Sequence, residues 1–270
     1  METSIAAKHA MMRTVTPIKH TMMETITTPL RKPVHHRTTA IPLIDMNTPA
    51  AMAMVTRTVH QHPVLIQLPT VFALMAAPTA EGARQLDNCK MRLEGKNYGT
   101  AIGSLQHFLA QARPGALPCD FHTAEQFRNM EGAFIRLQFR HRHFQSAVIR
   151  NGQHQGLLLN GPFRRLFMQV ERSFDHYPQD AIWGGNNYTA LLITSCNISG
   201  HPGGSITSLN GAVAFARERG IPFIVTTQQT AEEKGSYPVL GFEREAVRVH
   251  REGPGLARFL QQIPAGLKNW

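Results

Sequence analysis

An alternation running from Ile41 to Ile263 constrains this chain most: short apolar runs that favour strands take turns with longer segments that favour helices. Strands are predicted over Val64–Leu68, Tyr98–Ile102, Ala133–Phe139, Ser146–Arg150, Ala190–Thr194, Ile221–Thr226 and Ala246–His250. Ala133–Phe139 shows the period of two of a half-buried strand. Helices are predicted over Asn47–His60, Thr79–Arg92, Ser104–Ala112, Gly161–Phe174, Ser208–Arg219 and Leu256–Ile263. Thr48 and Thr79 suit the cap position, Pro162 suits a first turn, Pro114-Gly115 closes the third helix, and Gly220 stops the fifth. Strands and helices that alternate in this way build an α/β domain, with a mixed sheet.

Residues 1–40 stand apart from this pattern. They are rich in Thr, Met and His, hold Lys8, Arg13, Lys19, Arg31, Lys32 and Arg37 against Glu2 and Glu24, and keep no helical or strand period. A disordered basic tail, a transit-like leader and an upstream start all fit, with the folded domain over residues 41–270. No apolar run reaches the ~18–20 residues of a membrane helix, which predicts a protein with no membrane partner. The three cysteines, Cys89, Cys119 and Cys196, form no C-x-x-C pair, which suits a reducing, cytoplasmic compartment. The formal charge is +10, and such a balance favours anionic partners: phosphates, nucleotides or RNA.

The positive charge is concentrated in one motif. Lys90-Met91-Arg92, followed by Lys96, places three cations within seven residues at the end of a predicted helix. Arginine offers a planar fork of donors and lysine a mobile point charge, so the group can clamp phosphates, and Gly95 and Gly99 allow close backbone approach. The same residues also suit a solvated helix end. Far downstream, the apolar strand ending at Thr194 runs into Ser195-Cys196-Asn197-Ile-Ser199-Gly200-His201-Pro-Gly-Gly204. Neutral donors and a glycine-rich turn beyond the carboxyl end of a strand form a ligand-binding position, or an ordinary turn. Thr70 follows the strand at Val64–Leu68, and Ser236 and Arg251 precede or follow glycines near the end of the chain. No phosphate-binding G-x-x-x-x-G-K-[ST] loop, no G-x-G-x-x-G and no H-E-x-x-H is present, and no metal ligands are expected. His35-His36 and the His141/His143 pair flank arginines and suit solvent, and Cys196, which opens a turn after a strand, suits a small filler rather than a nucleophile.

Together these segments resemble the YrdC/Sua5 family. Lys90-Met91-Arg92 matches its K-x-R segment, Ser195-Cys196-Asn197 matches its S-x-N segment, and Thr194-Ser-Cys-Asn-Ile-Ser-Gly200 is close to its T-S-A-N-L-S-G. Pro69-Thr70, Lys96, the strand from Gly132 to Leu137, Ala147–Arg150, Ser236 and Val249–Gly253 follow in the family's order, so the resemblance spans about residues 45–255. It implies a twisted mixed sheet flanked by helices around a basic concave cavity. It further implies an enzyme that joins ATP, bicarbonate and an amino acid, threonine, into a carbamoyl adenylate for tRNA modification, with magnesium accompanying the ATP. In that reading Lys90 and Arg92 are catalytic, Lys96, Ser195, Asn197, Ser236 and Arg251 hold the nucleotide, and Thr70 and Arg150 meet the second substrate. The chain departs from the family after Pro69-Thr70 and at Val148–His154, on the acceptor side. An enzyme acting on another metabolite, or a module that binds nucleotide or double-stranded RNA without turnover, is the alternative.

Overall fold

A computed structural model describes residues 40–93, 96–177, 180–185, 188–200 and 202–269. The tail expected over residues 1–40 lies outside the described residues except for Ala40, as do Gly95, His201, His35 and His36. Ten strands form one sheet: β1 Leu43–Asp45, β2 Val64–Gln67, β3 Phe72–Ala76, β4 Gly99–Ala101, β5 Ala133–Gln138, β6 Gln153–Leu158, β7 Leu192–Ser195, β8 Ile224–Thr226, β9 Val239–Glu243 and β10 Ala246–Arg251. Their spatial order is β1-β8-β2-β3-β7-β4-β6-β5-β9-β10. β1, β8 and β2 run parallel, as do β4 with β6 and β5 with β9, and the remaining pairs are antiparallel. The sheet is therefore mixed, as the alternation predicts.

Seven α-helices are described: α1 Pro49–Val59, α2 Ala80–Lys90, α3 Leu105–Leu109, α4 Gly161–Ser173, α5 Asp180–Trp183, α6 Leu209–Arg219 and α7 Leu256–Gln262. Local chemistry sets their ends. The hydroxyls of Thr79, Ser104 and Ser208 each accept a backbone N–H from the first turn of α2, α3 and α6, at 3.0, 3.2 and 3.2 Å. Gly220 closes α6 with φ +66°, where a side chain would be strained. Thr48 precedes α1 as read, but its hydroxyl donates to the Asp45 carbonyl instead of capping the helix.

Alternation sorts the core onto the two sheet faces. In β3 every residue is buried, with Phe72, Leu74 and Ala76 on one face and Ala73 and Met75 on the other. The first face is covered by apolar residues of α2, α3, α5, α6 and α7. The second is covered by α1 and by Phe163, Leu166, Phe167 and Val170 of α4, spaced i, i+3, i+4, i+7 to make one apolar stripe. Removing Phe167, which is fully buried, would cost about 3–5 kcal/mol.

One expectation fails here. Ser146–Arg150 is not a strand: the Ser146 hydroxyl accepts the N–H groups of Val148 and Ile149 and folds the segment into a turn, while Val148 and Ile149 sink into the core. The strand lies further on, at β6, whose polar start disguises it. β1, β3 and β9 are additional strands that the pattern did not resolve. Among the described residues no helix is long and apolar enough to cross a membrane.

Candidate functional site

On the second sheet face, α1 and α4 leave the ends of the central strands open. Ala73 of β3, Ile193 of β7, Gly99 of β4, Leu157 of β6 and Phe134 of β5 form the floor of a cavity of about 190 Å³. At Gly99 a Cβ would sit 2.4 Å from a ring carbon of Phe134, so any side chain there would have to displace that ring.

The cations arrive from three directions. Lys90 ends α2, and Met91 then takes a left-handed conformation (φ 46°, ψ 57°) that turns the chain so that Arg92 enters the same cavity. Such a conformation costs a non-glycine residue about 1–2 kcal/mol, and Met91, 62% exposed, recovers little of it by burial. Arg251 comes from the far edge of the sheet. The β9–β10 register pairs Val249 with Leu240 and Arg251 with Val239, so His250 is an extra residue. Plain alternation would put Arg251 on the same face as Val249; the bulge turns it onto the cavity face.

Each of these cations is held by the protein. The Lys90 amine, only 2% exposed, donates to the Ser195 carbonyl and, at 2.6 Å, to Asn197 Oδ1. Arg92 donates from Nε to the Lys96 carbonyl (3.2 Å) and from Nη2 to the Asn97 carbonyl (2.5 Å), and its guanidinium carbon lies 3.9 Å from the centre of the Tyr98 ring. Arg251 donates from Nε and Nη2 to the Tyr237 carbonyl at 3.0 and 2.7 Å. Lysine has three donors and arginine five, so each retains N–H groups beyond these bonds. Neutral groups complete the wall. Ser195 Oγ donates to Asn197 Oδ1 at 3.1 Å, and the Ser236 hydroxyl shares a 2.7 Å bond with Ser205. Among the described residues lining the cavity none is acidic.

The electrostatics follow from burial. Desolvation, and then the neighbouring Arg92, push the Lys90 amine down to about 7. Burial pushes the Cys196 thiol up to about 12, so this cysteine is a protonated filler and not a nucleophile at neutral pH. A cavity lined by cations, with no carboxylate among its described lining residues, has a positive potential that attracts anions.

Seven of the residues singled out in the sequence therefore meet on one cavity: Lys90, Arg92, Lys96, Ser195, Asn197, Ser236 and Arg251. Thr70 is not among them. It is 5% exposed and lines a second cavity instead. Arg150 is not brought to either: it is exposed in the β5–β6 connection, where its backbone pairs with Gln153. The sequence reading missed Phe134, Gln155 and Tyr237, which the cavity adds. Gln155 was hidden in the polar start of β6, and Phe134 and Tyr237 carry no local motif that singles them out.

Comparison with known proteins places this arrangement. No protein-family model matches the chain, and no curated protein does. Among solved structures, P. abyssi Sua5 complexed with L-threonine superimposes with a TM-score of 0.60 at 14% identity, over 86% of this chain and 63% of that one. A hypothetical protein from Streptococcus mutans matches with a TM-score of 0.56 at 13% identity, over 85% of this chain and 96% of that one. This is the YrdC/Sua5 fold. Full-length HypF in its phosphate- and nucleotide-bound form shares it with a TM-score of 0.52 at 15% identity, over 73% of this chain and 28% of that one. The chain spans a little under two thirds of the length of the two P. abyssi Sua5 chains, 65% and 63%. In this chain the Lys90-Met91-Arg92 and Ser195-Cys196-Asn197 segments both line the cavity and are joined by the Lys90–Asn197 bond.

Proposed function

We propose that the basic cavity binds ATP and forms a carbamoyl adenylate, with bicarbonate and an amino acid, threonine first, as the co-substrates. The observation that carries this reading is the convergence of four cations and three neutral donors on one carboxylate-free cavity. The amine condenses with bicarbonate to give a carbamate and water. A carbamate oxygen then bonds to the α-phosphorus of ATP, and the bond to the leaving pyrophosphate breaks. Lys90, Arg92, Lys96 and Arg251 offset the phosphate charge, with the donors they do not spend on protein carbonyls. Ser195, Asn197 and Ser236 orient the nucleotide and carbamate. Rate comes from positioning and from charge stabilisation by these preorganised donors. Magnesium would come with the ATP: the lining offers it hydroxyl and amide oxygens, and no cluster of three acidic, His or Cys ligands occurs among the described residues. The likeness to a threonine complex of Sua5 and to a phosphate- and nucleotide-bound HypF supports the reading. Use of the product as donor in a tRNA modification belongs to the same proposal.

The placement of Thr70 outside this cavity leaves the amino acid to be identified by assay. Purified protein is mixed with ATP, magnesium, bicarbonate and each of the common amino acids in turn, and pyrophosphate is measured. Release that needs both bicarbonate and one amino acid supports the reading. ATP binding absent by calorimetry, together with no release for any amino acid, overturns it.

A further inference from the structure

Tyr98 stands beside the basic cavity without lining it. Its ring belongs to the core of the first sheet face, together with Leu86 and Cys89. A buried phenol needs a partner for its oxygen, and here the Tyr98 hydroxyl donates to Asp87 Oδ1. Burial, and then this bond, push the phenol above its ordinary range, so it stays a neutral donor. Asp87 lies on α2, three residues before Lys90. The tyrosine therefore ties the start of β4 back to the end of α2, across the segment that carries Arg92.

The same segment is braced from a second side. The Tyr98 N–H donates to the Ala147 carbonyl at 2.7 Å, and Asn97 Nδ2 donates to the Val148 carbonyl at 3.1 Å. These acceptors sit in the turn that the Ser146 hydroxyl organises, where the Val148–His154 departure from the family pattern begins.

Arg92 lies on this platform. Its guanidinium carbon is 3.9 Å from the centre of the Tyr98 ring, while Nε and Nη2 donate to the Lys96 and Asn97 carbonyls. Of the five donors of an arginine these bonds engage one on Nε and one on Nη2. The end of the guanidinium formed by Nη1 and the other Nη2 hydrogen is left for a ligand. A long side chain that is already held need not be ordered when the ligand binds. Ordering it at that moment would lower affinity severalfold, by up to about tenfold.

We propose that Tyr98 is a positioning residue of the basic cavity: its ring, anchored by Asp87, holds the Arg92 guanidinium in the orientation in which it meets an anion. The inference rests on the cavity taking a phosphate anion, and not on the carbamate chemistry.

The probe is inorganic pyrophosphate, titrated by calorimetry into the whole protein at one slightly acid pH. Tyr98→Phe keeps the ring and should bind within about twofold of wild type, whereas Tyr98→Leu removes it and should bind about three- to tenfold more weakly. In an Arg92→Met background, Tyr98→Leu should have no further effect, an outcome that a general loosening of the core would not produce. A folded Tyr98→Leu protein with wild-type affinity, or the same loss with and without Arg92, overturns the proposal. If Tyr98→Leu does not fold, the wild-type protein answers by NMR. The Arg92 Nε–H signal, assigned by its absence in Arg92→Met, should be displaced by the ring and slow to exchange with water; a signal at the position and exchange rate of a free arginine overturns the proposal. No pyrophosphate binding to the wild-type protein overturns it together with the ATP reading. Pyrophosphate binding that responds to Tyr98, with no turnover for any amino acid, supports it and counts against the carbamoyl-adenylate reading alone.

Discussion

Lys90 carries the sharpest consequence of the basic cavity. Its amine is 2% exposed, bonded to Ser195 and Asn197, and pushed by burial and Arg92 down to about 7. A bound phosphate favours the protonated form, so anion affinity is complete below about pH 7 and falls as the pH rises through it. At pH 8 about one tenth of the free protein is protonated at this residue, and ATP affinity drops by about tenfold from its plateau. Lys90→Met keeps the stem and removes the donor. Charge-assisted hydrogen bonds are worth about 1.5–3 kcal/mol, so the variant should bind ATP about ten- to a hundredfold more weakly at the plateau. Calorimetry across about pH 6–9 measures both effects, and the variant reports the pH dependence of the nucleotide itself, which is subtracted. The stability sign is opposite. The unfolded chain binds the Lys90 proton up to its ordinary value of about 10.5 and the folded chain only up to about 7, so wild-type stability relative to the variant rises with pH between those values. A wild-type affinity with the same pH slope as Lys90→Met would refute the reasoning.

Three further predictions concern the scaffold. Met91→Gly removes a left-handed strain at an exposed residue and should raise stability by up to about 1 kcal/mol in urea unfolding. His154 is 1% exposed among Phe108, Phe139 and Trp183, and burial pushes it down to about 3. It is neutral in the folded protein, so its contribution is complete above about 6.5 and is lost as pH falls from there towards 3; His154→Leu should flatten the acid limb of the melting-temperature profile. Thr79→Ala removes the cap of α2 and should cost about 1 kcal/mol by chemical denaturation, while leaving ATP affinity at saturating fold unchanged.

The capped helices α2, α3 and α6 and the half-buried strand β5 were legible because their signals are local: a hydroxyl ahead of a helix, a glycine after it, a period of two. β3 was not, because both of its faces are buried and nothing in Phe72–Ala76 alternates. Ser146–Arg150 misled for the converse reason, since Val148 and Ile149 are core residues held in a turn. For the site, the cations that the motifs single out line one cavity, whereas Thr70, after a strand, and Arg150, read as a strand end, do not line it. Which way a loop turns is decided by what it packs against, and that is fixed by residues such as Ala231 and Gly235, far along the chain. The turning of Arg251 onto the cavity is likewise a matter of one unpaired residue in β10.

The sheet order has a kinetic corollary. Lys90 and Asn197 are 107 positions apart in the chain and meet only when β7 has slotted between β3 and β4. A loop of that length closes late, after the local helices and hairpins have formed. The wall that Lys90 and Asn197 form is then absent from the early folding ensemble, and any ligand that binds it in the native protein acts on the exit from that state. It lengthens the lifetime of the folded chain without hastening its formation.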